Sequence, residues 1–224
     1  MTVLRSFVVA AVAALAVAGC GGESPSTTPG SASSSTAAAP SEPASPSPTG
    51  TPDPPSGSQW VEAEKTGIRF PVPEDWKSVS FREVLESGDQ KAIAEAAEAM
   101  GVSVEQLNDL ADQIEVIVFG PTLKNFAVNI NVIPQPGVAM PSAEQASSQL
   151  EQIGGKVGTP TTGTTAFGAS LVVPYTLDVR GTTVQGRSIL LETPEGIATL
   201  TVSHVAADEA DQLTQAILDN VGQL

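Results

Sequence analysis

The chain has 224 residues, 41% of them hydrophobic and 4% aromatic, with 25 acidic and 10 basic side chains for a net charge of -15. That charge argues against a nucleic-acid partner, whose phosphates the chain would repel. A single cysteine, Cys20, excludes an intrachain disulfide framework and any multi-cysteine zinc or iron–sulfur site.

Residues 1–6 carry one cation, Arg5, and residues 7–18 form an unbroken apolar run of twelve. A membrane span needs ~20 such residues, so the run predicts a secretory signal rather than a transmembrane helix. No Arg-Arg pair precedes it, which makes it a Sec rather than a Tat signal. Val17-Ala18-Gly19-Cys20 stands where a small-residue cleavage site belongs and matches the bacterial lipobox. That match implies a signal peptide over 1–19, a diacylglyceryl thioether on Cys20, and a mature chain beginning at that cysteine. Two or three acyl chains anchor stably where one binds only marginally. The expected location is the extracytoplasmic face of a bacterial cell membrane, with the bilayer as the first partner.

Residues 21–58 contain no Val, Ile, Leu, Met or aromatic side chain, yet hold nine of the eighteen prolines. Their charges are Glu23, Glu42 and Asp53 alone. Such a stretch buries too little apolar surface to offset its ordering entropy, which predicts a disordered tether over 20–58. As a flexible coil it would reach roughly 35 Å.

The pattern changes at Gln59. Residues 59–224 carry 22 acidic and 9 basic side chains, and strand and helix signals appear. "TGIRFPVPEDW" reads as a short strand running into a proline-bracketed turn, with Trp76 anchoring the core edge. Helical patterns follow over 81–86, 90–100 and 103–112, stopped at Gly88 and Gly101, with Ser103 and Gln106 forming a capping box. Residues 115–119 read as a strand. In "FAVNINVI", Phe126, Val128, Ile130 and Val132 fall on one face and Ala127, Asn129 and Asn131 on the other. Pro134, Pro136 and Pro141 are expected to break the chain. Ser142 and Gln145 then cap a helix with Ala146, Leu150 and Ile153 on one side, ended by Gly154-Gly155. Strands over 166–179, 183–192 and 197–205 follow, turning at Arg180-Gly181-Thr182 and Pro194-Glu195-Gly196. A last helix over 208–221 buries Leu213, Ile217 and Val221, with Asp208, Glu209 and Asp211 near its positive end. Hairpins with helices between them predict an α+β domain over 59–224, layered on a largely antiparallel sheet.

The opening Gly67, Ile68, Phe70, Pro73 and Trp76, followed by a mid-chain helix, a meander and a terminal helix, resembles the PsbP-like fold, an α/β/α sandwich. With the lipobox and tether in front, the chain resembles the actinobacterial LpqN-type lipoproteins. The resemblance implies a membrane-tethered accessory or binding protein without a catalytic motif.

The residues themselves offer no enzyme signature. His204, the single histidine, shares a strand face with Ala198, Leu200 and Val202, with Asp208 as the only acid near it in sequence; it reads as structural. Gly168-Ala169-Ser170 begins like a nucleophile elbow but has Val172 where the second glycine belongs. "GGKVG" at 154–158 lacks the remaining residues of a phosphate loop and reads as a helix stop. Glu74-Asp75 and Asp208-Glu209 read as turn and helix-start residues, no Asp-x-Asp-x-Asp-Gly calcium loop occurs, and no cofactor is expected. Between 81 and 115 stand nine acids, Glu83, Glu86, Asp89, Glu95, Glu98, Glu105, Asp109, Asp112 and Glu115, against Arg82 and Lys91. That run is either a solvated face or a docking surface for a cationic protein or envelope partner. The expected function is a non-catalytic binding or accessory module of the cell envelope. The alternative is a carrier of a small apolar ligand or lipid between sheet and helices.

Overall fold

The computed structural model describes residues 52–80, 113–179 and 181–224, with positions 86, 88, 90, 91, 93, 94 and 103–105 between them. Cys20, the expected tether up to residue 51, and most of the helical pattern over 81–112 lie outside the described residues.

Two sheets and two helices make up the described fold. Strands β1 (Ser58–Ala63), β2 (Ile68–Pro73) and β11 (Gly222–Gln223) form a three-stranded sheet in the order β1-β2-β11. The larger sheet has the order β3-β4-β5-β10-β9-β8-β6, with β7 also paired to β8. Its members are β3 (Lys77–Val79), β4 (Val116–Leu123), β5 (Phe126–Pro136), β6 (Lys156–Val157), β7 (Thr161–Thr165), β8 (Gly168–Val179), β9 (Thr182–Thr193) and β10 (Gly196–His204). All pairings are antiparallel. Helix α1 (Ala143–Gln152) lies between β5 and β6, and helix α2 (Ala207–Asn220) follows β10. The domain is therefore α+β and mostly antiparallel sheet, as its alternating hairpins predict.

Alternation decides which face is buried against what. Val128, Ile130 and Val132 of β5 join Val116 and Val118 of β4, Ile189 and Leu191 of β9, and Ala198, Leu200 and Val202 of β10 on one face. This face packs on Ile68, Phe70 and Val72 of β2 and on Ala210 and Ile217 of α2. On the opposite face, Leu171, Val173 and Tyr175 of β8 with Leu190 and Ile197 pack on Ala146 and Leu150 of α1.

Local chemistry fixes the ends of these elements. Ser142 accepts from the Gln145 amide at 3.2 Å while Gln145 Oε1 accepts from the Ser142 amide at 2.9 Å, a reciprocal cap at the start of α1. At its other end Gly154 takes φ +88°, its N–H reaches Glu151 O at 2.9 Å, and the Gly155 N–H reaches Leu150 O at 2.9 Å. That pair of bonds is a Schellman motif, so "GGKVG" is a helix stop as read. Ile153, expected on the buried side, is instead the C-cap and exposed, because the motif turns the chain away from the sheet there. Two aromatic rings lie on glycines: a Cβ added to Gly120 would come within 2.5 Å of the Trp76 ring, and one added to Gly186 within 2.1 Å of Tyr175 Cζ.

The expected break at Pro134 and Pro136 does not occur. β5 runs through both, opposite Ala198 and Gly196 of β10. Alternate residues of a strand turn their N–H and C=O to opposite edges. Val132 O accepts from Glu115 N at 2.9 Å, so Val132, Pro134 and Pro136 all turn toward the β4 side. β4 begins only at Val116, opposite Val132, and among the described residues no strand pairs with that edge beyond it. The missing proline N–H groups therefore cost no ladder bond, which is the setting in which a strand tolerates proline.

Candidate functional site

Where β4 leaves off, a cleft of about 460 Å³ opens, lined by Lys65 and Thr66 from the β1–β2 turn, Pro134, Gln135 and Pro136 from the end of β5, and Thr193, Glu195 and Ile197 around the β9–β10 turn. Three chain segments meet there, each held from outside the cleft. The β1–β2 turn is closed by the Gly67 amide on Glu64 O at 3.2 Å and by the Thr66 hydroxyl on Ala63 O at 3.1 Å. The end of β5 is tied to the β9–β10 turn by the Gly137 amide on Glu195 O at 2.8 Å.

Glu115 locks the first wall in place. Its carboxylate accepts from the Lys65 amide and, at 3.3 Å, from the Thr66 hydroxyl. Burial raises its pKa above the ordinary 4.5, against the lowering pull of these bonds and of the Lys65 charge. Glu115 thus does not belong to the acidic surface in which the sequence placed it: it is half-buried and bonded to the β1–β2 turn. Of the other acids of that run, Glu86 and Glu105 are exposed, and the rest lie outside the described residues.

A second polar feature lies on the sheet face that also carries α1. Asn129 and Asn131 of β5 stand opposite Ser203 and Thr201 of β10, and Ser188 of β9 stands beyond Thr201; all five are buried. The Asn129 amide donates to Ala127 O at 2.9 Å, but Asn129 Oδ1 and Asn131 Oδ1 have no hydrogen-bond partner among the described residues. Tyr175 lies across Gly186 and its hydroxyl is bonded to Ser203; burial pushes its pKa up to about 12.

His204 sits on the core face with Ala198, Leu200 and Val202, as read, and is buried. Its Nδ1 accepts from the Ala206 amide at 3.0 Å. Ala206 is the N-cap of α2 and offers no side-chain cap of its own, so the imidazole organises the start of the helix. Ser170 is a buried mid-strand residue of β8 opposite Gly163 and Leu191, in a hairpin rather than an elbow. Glu74 and Asp75 are exposed in the β2–β3 turn, and Asp208 and Glu209 occupy the first turn of α2. Asp211 instead reaches back to the sheet, accepting from Arg187 Nε at 2.6 Å. Among the described residues, no three acidic, histidine or cysteine side chains gather into a group that could hold a metal ion.

No protein-family model and no curated protein matches the chain. A solved structure of a protein of unknown function from Pseudomonas aeruginosa is similar at 13% identity, covering 73% of this chain and 97% of that one with a TM-score of 0.38.

Proposed function

We propose that the chain is a bacterial surface lipoprotein, anchored by acyl chains on Cys20, whose folded domain is a non-catalytic binding or accessory module of the cell envelope. The observation that carries this reading is Val17-Ala18-Gly19-Cys20, placed directly after a twelve-residue apolar run and directly before 38 residues without a large apolar side chain. Each of the three parts is of ordinary composition, but their order is that of an exported chain cut and lipidated at the cysteine. No helix among the described residues is long and apolar enough to cross a membrane, which is compatible with an anchor supplied by lipid. The described domain also suits a PsbP-like α/β/α sandwich of the LpqN type, because α1 covers one face of the large sheet while α2 and the small sheet cover the other. Its partner, on this reading, is cationic: the eight acids that remain without Glu115, against two bases over 81–112, would steer a positively charged protein or envelope component.

The test is detergent-phase partitioning of the full chain expressed in an actinobacterial host. The wild type is expected in the detergent phase and Cys20→Ala in the aqueous phase or as an uncleaved precursor. Equal partitioning of the two would end the lipoprotein reading. Native mass spectrometry of the released protein separates the two binding roles: a clean mass supports the binding module, and a retained lipid supports the carrier.

A further inference from the structure

The β5 edge of the cleft beside Pro134 has a one-sided hydrogen-bonding character. The hydroxyls of the lining and one N–H of Gln135 are spent inside the protein. The Thr66 hydroxyl is used on Ala63 O and Glu115, the Gln135 amide on Thr199 Oγ1 at 3.0 Å, and the Thr193 hydroxyl on Gly196 O at 3.3 Å. Pro134 and Pro136 have no N–H at all. Their carbonyls, by the alternation that places Val132 O on Glu115 N, face the edge beyond the start of β4 and have no strand opposite them among the described residues. The Glu195 carboxylate is exposed and has no ion-pair partner among the described residues. Lys65 is the lining's one cation, and the Glu115 carboxylate beside it offsets its charge within the same wall. The lining therefore offers acceptors, an unpaired carboxylate and the apolar surfaces of Pro134, Pro136 and Ile197, with the Lys65 ammonium and one Gln135 N–H as its remaining side-chain donors.

The edge also excludes one class of occupant. A peptide strand adding to β5 beyond Val132 would find carbonyls to accept its N–H groups but no N–H for its own carbonyls, so strand addition is blocked there. A group that only donates has no such mismatch. We propose that this cleft binds an organic cation, an ammonium or guanidinium on a short aliphatic stem, with the charged head between Glu195 and the β5 carbonyl edge and the stem on Pro134, Pro136 and Ile197. The cleft volume of about 460 Å³ is at the size of small-ligand sites. The inference rests on the reading of the domain as a binding module. It does not depend on the anchor, so a failed partitioning test and an empty cleft are separate results.

The experiment is ligand-observed saturation-transfer NMR on the full chain at neutral pH, with n-pentylamine as the cation and 1-pentanol as its uncharged counterpart. Expected are a saturable response to pentylammonium, a response to pentanol weaker by about tenfold, and loss of that difference in Glu195→Gln. Glu195 is exposed in a turn, so folding of the variant is checked simply by its unchanged melting temperature. Nα-acetyl-lysine N-methylamide identifies the source of the cation. If it binds at least as well as pentylammonium, the natural occupant is a basic side chain of a partner; if it is excluded while pentylammonium binds, the occupant is a free amine. Equal responses to amine and alcohol, no saturable response to the amine, or a Glu195→Gln variant that still discriminates as wild type would overturn the proposal.

Discussion

Gly186 shows what a single missing Cβ does here. The Tyr175 ring lies where that atom would be, at 2.1 Å from Cζ, and Tyr175 is itself buried with its hydroxyl on Ser203. Gly186→Ala must push the ring off the sheet, and over-packing of this kind costs about 1–3 kcal/mol. Urea denaturation is expected to show a lower midpoint with an unchanged slope. Glu115 makes a residue-scale prediction of a different kind. Its pKa in the folded state is raised above 4.5 by burial, so the folded state holds the proton more tightly than the unfolded chain does. The contribution of this group to stability is then greatest below the unfolded value and declines as pH rises through the folded one. Glu115→Gln, which keeps an acceptor for the Lys65 amide without a charge, should flatten that decline. Melting temperatures of the two proteins compared upward from pH 4 are expected to diverge in favour of the variant. A constant offset between them would show that the carboxylate is not destabilised by burial.

At the scale of elements, α2 is fastened to the sheet by more than its apolar stripe. The Arg187 side chain, 8% exposed, lies on the inner face midway along β9 and bonds Asp211 Oδ1, Gly186 O at 2.8 Å and Ala207 O at 3.3 Å. Asp211 is 65% exposed, so solvent screens the pair from one side. Asp211→Ala still leaves a buried guanidinium short of a partner and should cost about 1–2 kcal/mol. Adding Arg187→Met to that variant should recover part of the loss, which a double-mutant cycle would measure. The same scale explains which elements could be read from the sequence. β5 and β10 are long and alternate, so each announces itself and its core face, whereas β9 announces itself by its apolar Ile189-Leu190-Leu191 run and is buried on both faces. β7 is Thr161-Thr162-Gly163-Thr164-Thr165, with no apolar residue to set a period, and β11 has only two residues; both are strands because β8 and β2 offer them an edge. β1, "SQWVEA", carries no strand signal of its own either, because its Val61 and Ala63 make too short an alternation. Pro134 and Pro136 read as breakers because sequence does not reveal which edge of a strand will be empty. The cleft was illegible for a related reason: residues 65–66, 134–136 and 193–197 meet only through strand order.

For the whole molecule, the folded domain begins slightly before the change in composition. Gly57 O accepts from the Glu74 amide at 3.1 Å, and Ser58 is already paired with Pro73. Gln59 follows, with Nε2 donating to Trp76 O at 2.7 Å and so fastening β1 to the turn that carries the core tryptophan. Deleting residues 21–53 should leave the melting temperature unchanged, since that stretch has no large apolar side chain to bury. Extending the deletion through Ser58 should lower it by several degrees, as an edge strand loses its first pairing, on the scale of about 4 °C or less per kcal/mol for a domain of this size. Equal losses from both deletions would place the boundary earlier in the chain.

The central claim is that the chain is cut before Cys20 and held at a membrane by lipid on that residue. Mass spectrometry of the amino-terminal peptide of the mature protein, purified from the membrane fraction of an actinobacterial host, tests it most directly. The predicted result is a peptide beginning at Cys20 that carries the mass of a diacylglyceryl group, with or without a further acyl chain on its amine. An unmodified Cys20, with residues 1–19 still attached or removed at another bond, would contradict it.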